Sequence, residues 1–172
     1  GTNNEASIKV SRGIELEAGN VDAQILAGKS AIEDKGWEES FIAWGLVRRL
    51  QPSQPKACLY LAQTLLAMGR GSSAKPLLQE YVDRMDKNAT AQEKILIAEL
   101  LLSADEPTLA TSLLEPLRES ISDEDVLTPK CLRLLAVSLF GSGMIDEGAS
   151  ISRKVLRFDP NCIASIHNLA LA

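Results

Sequence analysis

The sequence predicts an all-α fold, an α-solenoid of stacked antiparallel helix pairs with about ten helices in 172 residues. Three observations carry this expectation. Apolar residues recur at i, i+3, i+4 and i+7: Cys58, Leu61, Ala62 and Leu65 in one stretch, Ala74, Leu77, Leu78 and Tyr81 in the next. Hydrophobic residues make up 45% of the chain but aromatics only 4%, which suits close-packed helices better than a β-sandwich. Finally, the chain matches itself when shifted by 34 residues or slightly more.

The repeat sets the order of elements. A shift of 34 carries Gly28, Ser40, Trp44 and Val47 onto Ala62, Ala74, Leu78 and Tyr81. A further 36 reaches Ala98, Ala110, Leu114 and Leu117, and a further 38 reaches Ala136, Gly148, Ser152 and Val155. The extra residues fall in "DKNAT" and "SDEDVLTP", polar segments between helices where insertions cost little. The chain therefore divides into units 21–54, 55–88, 91–124 and 129–162, forming one repeat domain over 1–172. Residues 1–20 are expected to be the second helix of an incomplete unit, and 163–172 the first helix of another.

Each complete unit holds two helices joined by a turn such as "MGRG" or "GSGM". Pro55, Pro107 and Pro129 suit the first helical position, where a missing N–H is harmless. Thr128 and Asp105 are expected N-caps. Pro116 falls inside the second helix of the third unit, where a kink is expected. The small residues at Gly28, Ala62, Ala98, Ala136 and Ala170, and at Ser40, Ala74, Ala110 and Gly148, let paired helices approach closely. A pair so packed still leaves an apolar face, which the next pair buries. The chain starts Gly-Thr-Asn-Asn without Met and ends by opening a helix whose Ile163, Ile166 and Leu169 lack a partner. It is therefore expected to be a stretch of a longer array, with end helices open to self-association.

Composition excludes several functions. The net charge of -5 and the lack of a basic run argue against nucleic-acid binding. No apolar stretch reaches the ~18 residues a membrane span needs, so no membrane contact is expected of this segment. Cys58, Cys131 and Cys162 show no C-x-x-C spacing; they read as buried free thiols and favour a reducing compartment, so the cytoplasm over the periplasm. A single histidine, His167, leaves no His cluster for a metal or triad. "GRGSSAK" departs from the phosphate-loop pattern and follows a helix, and "FGSGM" lacks nucleophile-elbow spacing. "NAT" at Asn88 is a weak glycosylation signal, and Asp123, Glu124 and Asp125 read as a solvated loop. No catalytic residue, cofactor or metal is expected.

The repeat resembles the tetratricopeptide family on these residues. Counted from Val21, the first unit places Ala27 and Gly28 at positions 7 and 8, Trp37 at 17, Ser40 at 20, Trp44 at 24, Val47 at 27 and Pro52 at 32. The unit from Pro55 supplies Leu61, Ala62, Leu65, Gly69, Ala74, Leu78 and Tyr81. The unit from Pro129 supplies Leu132, Leu135, Ala136, Leu139, Gly143, Gly148, Val155 and Pro160. The unit from Ala91 departs by carrying Asp105 where glycine is usual.

The resemblance implies a right-handed superhelix whose first helices line a concave groove for a protein or peptide. The family's groove positions map onto Ile25, Lys29, Leu59, Gln63, Leu66, Ile95, Glu99, Leu102, Arg133, Val137, Phe140 and His167. Apolar members form a stripe, and Lys29, Gln63, Glu99 and Arg133 fix orientation. The carboxylate clamp of the chaperone-binding branch is missing: Ile25, Lys29, Tyr60, Gln92 and Leu96 occupy its places. The asparagine ladder of glycosyltransferase-linked arrays is also absent, since Leu26, Tyr60, Leu96 and Leu134 hold its position and only Asn168 fits. The expected function is a non-catalytic scaffold that binds a partner's peptide or helix. The alternative is a regulatory or substrate-presenting arm of a larger glycosyl- or sulfotransferase. The related RNA-binding pentatricopeptide repeats fit less well, because the chain is acidic.

Overall fold

The computed structural model describes residues 20–86 and 88–172, and among them all regular structure is helical. Helix α1 covers 20–33. It is followed by α2 (Trp37–Leu50), α3 (Pro55–Ala67), α4 (Gly71–Arg84), α5 (Ala91–Ser103), α6 (Pro107–Ser120), α7 (Thr128–Gly141), α8 (Ile145–Phe158) and α9 (Ile163–Leu171). Of the helix expected in 1–20, residues 1–19 lie outside the described residues, and residue 20 opens α1. Two compact units divide the chain, one ending at Arg84 with α1–α4 and one starting at Met85 with α5–α9.

The predicted helix pairs form, and their turns share one feature. Lys35, Gly69, Asp105 and Gly143 have φ of 57°, 72°, 58° and 77°. Their separations are 34, 36 and 38 residues, the same offsets that relate the repeats. A left-handed residue at that point reverses the chain between two helices. Glycine adopts it freely, whereas Lys35 and Asp105 carry a Cβ into a region that costs about 1 kcal/mol or more.

Pro55, Pro107 and Pro129 lie in the first turn of α3, α6 and α7. Two expected caps are corrected. Thr128 is the first residue of α7, and its hydroxyl donates to the Ser122 carbonyl at 2.6 Å instead of capping. Asp105 is the left-handed turn residue, so Glu106 occupies the cap position of α6. Thr90 caps α5, accepting from the Glu93 amide at 3.2 Å. Helix α6 continues through Pro116 to Ser120, and α4 likewise contains Pro76.

In the first unit, α1 meets α2 where Gly28 faces Trp44. A Cβ on Gly28 would lie 2.6 Å from the indole Nε1, so only glycine fits against this ring. Trp44 also stacks on Tyr60, with centroids 4.5 Å apart and planes 22° apart. This ties α2 to α3, which packs against both α2 and α4. Beneath the rings, the Ser40 and Thr64 hydroxyls are 2.7 Å apart. Thr64 donates its proton to the Tyr60 carbonyl at 2.8 Å, so Ser40 is the donor between the two hydroxyls. At the far end of these helices, the Glu80 carboxylate of α4 bridges Arg48 of α2 at 2.7 Å and Arg84 at 3.0 Å. Arg84 also donates to the Pro52 carbonyl at 3.0 Å.

In the second unit, α7 is the central helix. It packs against α5, α6, α8 and α9. Helices α5, α7 and α9 therefore form one layer, while α6 and α8 form the other. Ile97, Leu101, Leu114, Leu135, Leu139 and Val155 are fully buried between the layers. Gly148 of α8 admits the Phe140 ring of α7, which lies 2.9 Å from where a Cβ would be.

Candidate interaction surface

The first helices of the hairpins are the candidate surface, and the register of each helix decides which side chains reach solvent. In the first unit Lys29 is exposed on α1 and Ile25 is half-buried. On α3, Gln63 and Leu66 are half-buried. In the second unit α5 presents Glu99 and Leu102, both half-buried. On α7, Arg133 is exposed and Val137 is 42% exposed, and on α9 His167 is exposed.

Two expected groove residues are corrected. Leu59 and Ile95 are only 4% and 2% exposed, and both belong to the core. A residue's place on a helix points it either to solvent or to a neighbouring helix, and the fifth residue of α3 and of α5 points inward. Phe140 is half-buried and much of its ring is engaged with α8, so its free surface is small.

The next residue along, the sixth of the unit, was not expected to line the groove. It is open in two units, with Leu26 74% and Leu96 38% exposed, and half-buried at Tyr60 and Leu134. No distinct sequence signal marks the two open leucines: Leu26 follows Ile25, and Leu96 lies within the apolar run from Ile95 to Ala98.

The second unit's layer carries its own electrostatics. Lys130 Nζ of α7 lies 2.9 Å from Glu99 Oε1 of α5, an ion pair joining two adjacent first helices. Both groups are well solvated, so the pair contributes at most about 1 kcal/mol. Among the described residues Arg133 has no ion-pair partner. The face thus combines exposed apolar side chains, Leu96 and Val137, with an available guanidinium.

The thiols lie away from this surface. Cys58, Cys131 and Cys162 are free and buried. Burial pushes the Cys131 thiol up to about 11, with nearby Arg118 acting weakly the other way. Cys58 is also raised, by burial first, with Arg48 opposing. Such thiols hold their protons at neutral pH and are poor nucleophiles. Among the described residues no group of three His, Cys, Asp or Glu side chains is placed to hold a metal ion. No helix among them is long and apolar enough to cross a membrane.

Repeated helix hairpins, a left-handed residue at each turn and small residues where paired helices cross define the tetratricopeptide-type helical repeat, and this chain has that fold. Solved structures agree. YrrB, described as a TPR protein with an unusual peptide-binding site, superposes with a TM-score of 0.71 at 16% identity, over 94% of this chain and 80% of that one. MamA from Desulfovibrio magneticus RS-1 gives 0.68 at 15% identity, over 88% and 82% of the two chains. The TPR-like repeats of a putative kinesin light chain from Podospora anserina give 0.64 at 18% identity, over 88% and 84%. No family model matches the sequence, and a search of curated proteins finds no match.

Proposed function

We propose that this chain is a non-catalytic protein-interaction scaffold that holds a peptide or helix of a partner on its first-helix face. The observation that carries this reading is the mixed surface of the second unit, where exposed Leu96 and Val137 accompany Arg133 and the Glu99–Lys130 pair. Apolar side chains supply affinity for such a ligand, and a few polar groups set its direction. Arg133 favours a partner segment that places a carboxylate beside its apolar residues. YrrB, similar in fold, is itself described by its peptide-binding site, which supports the reading by analogy.

The test is affinity capture with the chain as bait beside an Arg133→Glu, Val137→Glu double variant. Both residues are exposed, so the variant keeps the helical circular dichroism of the parent. Substituting Leu59 or Ile95 instead would damage the core and say nothing about the face. The expected result is a partner held by the parent and lost by the variant, with at least tenfold weaker binding in a purified pair. Equal capture by both proteins would refute the proposal.

A further inference from the structure

The two units build the junction between successive hairpins from equivalent positions, and at one of them the charge is reversed. In the first unit Glu80 sits between Arg48 and Arg84 and pairs with both. The repeat offsets carry Arg48 onto Arg118, Glu80 onto Lys154 and Arg84 onto Phe158. An ammonium group therefore stands where the first unit has the bridging carboxylate. The second unit has a cleft of about 210 Å³ at this place, lined by Arg118, Asp123, Thr128, Lys154, Arg157 and Phe158 with Leu132 beneath. Among the described residues none of the three cations has an ion-pair partner.

Helix position explains part of this arrangement. Arg118 and Arg157 stand in the last turns of α6 and α8, where the helix dipole favours a positive charge. Lys154 lies a turn earlier and gains little from that effect. Three like charges around one cleft repel each other, and Asp123 offsets only one of them. The cleft keeps a surplus of about two positive charges, in a chain whose net charge is -5. A dianion of phosphate type carries a matching ~-1.5 to -2 and offers several acceptor oxygens for guanidinium and ammonium groups. The volume holds such an anion together with water, since one water occupies about 30 Å³.

We propose that the cleft formed by α6, α7 and α8 binds a phosphate-type oxyanion, which takes the bridging place that Glu80 holds in the first unit. The cleft lies against the α6 and α8 layer, so this site is separate from the first-helix face and does not depend on it.

The experiment is a titration of the ¹⁵N-labelled chain with inorganic phosphate, followed by backbone amide shifts, with sodium chloride at matched ionic strength as control. O-phosphoserine forms a second arm. Saturable shifts confined to residues around Arg118, Asp123 and Lys154 are expected with phosphate and not with chloride. Tighter binding of O-phosphoserine would identify a phosphorylated side chain as the source, and equal binding would identify the free ion. Lys154→Glu restores the carboxylate of the first unit. It is expected to weaken phosphate binding at least tenfold while raising the midpoint of thermal unfolding in phosphate-free buffer. Lys154→Gln is expected to weaken binding about threefold or more without a loss of helix. Phosphate shifts no larger than those from chloride, or shifts unchanged in both variants, would overturn the proposal.

Discussion

Trp44 is fully buried, and its Nε1 has no hydrogen-bond partner. An unsatisfied buried donor costs about 1–3 kcal/mol, so the ring is held by contact alone: Gly28 on one side and Tyr60 stacked on the other. Gly28→Ala gains about 1 kcal/mol in helix propensity but drives a methyl group into a ring that has nowhere to go. The expected net effect is a fall of about 3–6 °C in the unfolding midpoint, read by scanning calorimetry. Gly45→Ala is the control. It lies in α2 with nothing within 4 Å of an added Cβ, and should raise the midpoint by about 2 °C. The thiols make a second prediction. Cys131 is raised from 9.0 to about 11 by burial, so between these values the unfolded chain gives up its proton and the folded chain keeps it. Stability contributed by this group is complete below pH 9 and is lost as pH rises toward 11. Urea unfolding at pH 8 and pH 10.5 should show the decline, and Ellman's reagent at pH 8 should react slowly with Cys58 and Cys131 until urea is added.

At the scale of the helix, the junction residues matter most. Glu80 couples α4 to α2 through Arg48 while Arg84 pins the end of α4 to Pro52. Glu80→Gln should lower stability by about 1 kcal/mol in low salt and by less in 1 M sodium chloride, because all three groups are partly solvated. The Glu80–Arg84 pair follows an i,i+4 spacing that a sequence displays, but the pairing of Glu80 with Arg48 was not visible there. An ion pair between residues 32 apart depends on how two hairpins stack, and the repeat pattern describes only their apolar sides. What was visible had strong local causes. Small residues mark the helix crossings, proline marks helix starts, and Gly69 and Gly143 mark turns. These also located the turn at Asp105, where the residue type itself was misleading and suggested a cap. The candidate surface was only half legible. Register placed Lys29, Arg133, Val137 and His167 at solvent, but one step of 100° on a helix separates buried Ile95 from exposed Leu96. A single sequence does not fix rotation that finely.

At the scale of the whole chain, each unit presents its own layer of first helices and buries its apolar residues between layers. The four described turn residues reverse the chain between helices, and most of the small residues are buried where paired helices cross. The proposed receiving surface for a partner's peptide or helix is the face of α5, α7 and α9 in the second unit. Hydrogen–deuterium exchange of the chain, alone and with the captured partner, locates the contact. Slowed exchange is expected in α5, α7 and α9, with α6 and α8 unchanged. Slowing confined to α6 and α8, with α5 and α7 exchanging as in the free chain, would rule out the first-helix face as the receiving surface.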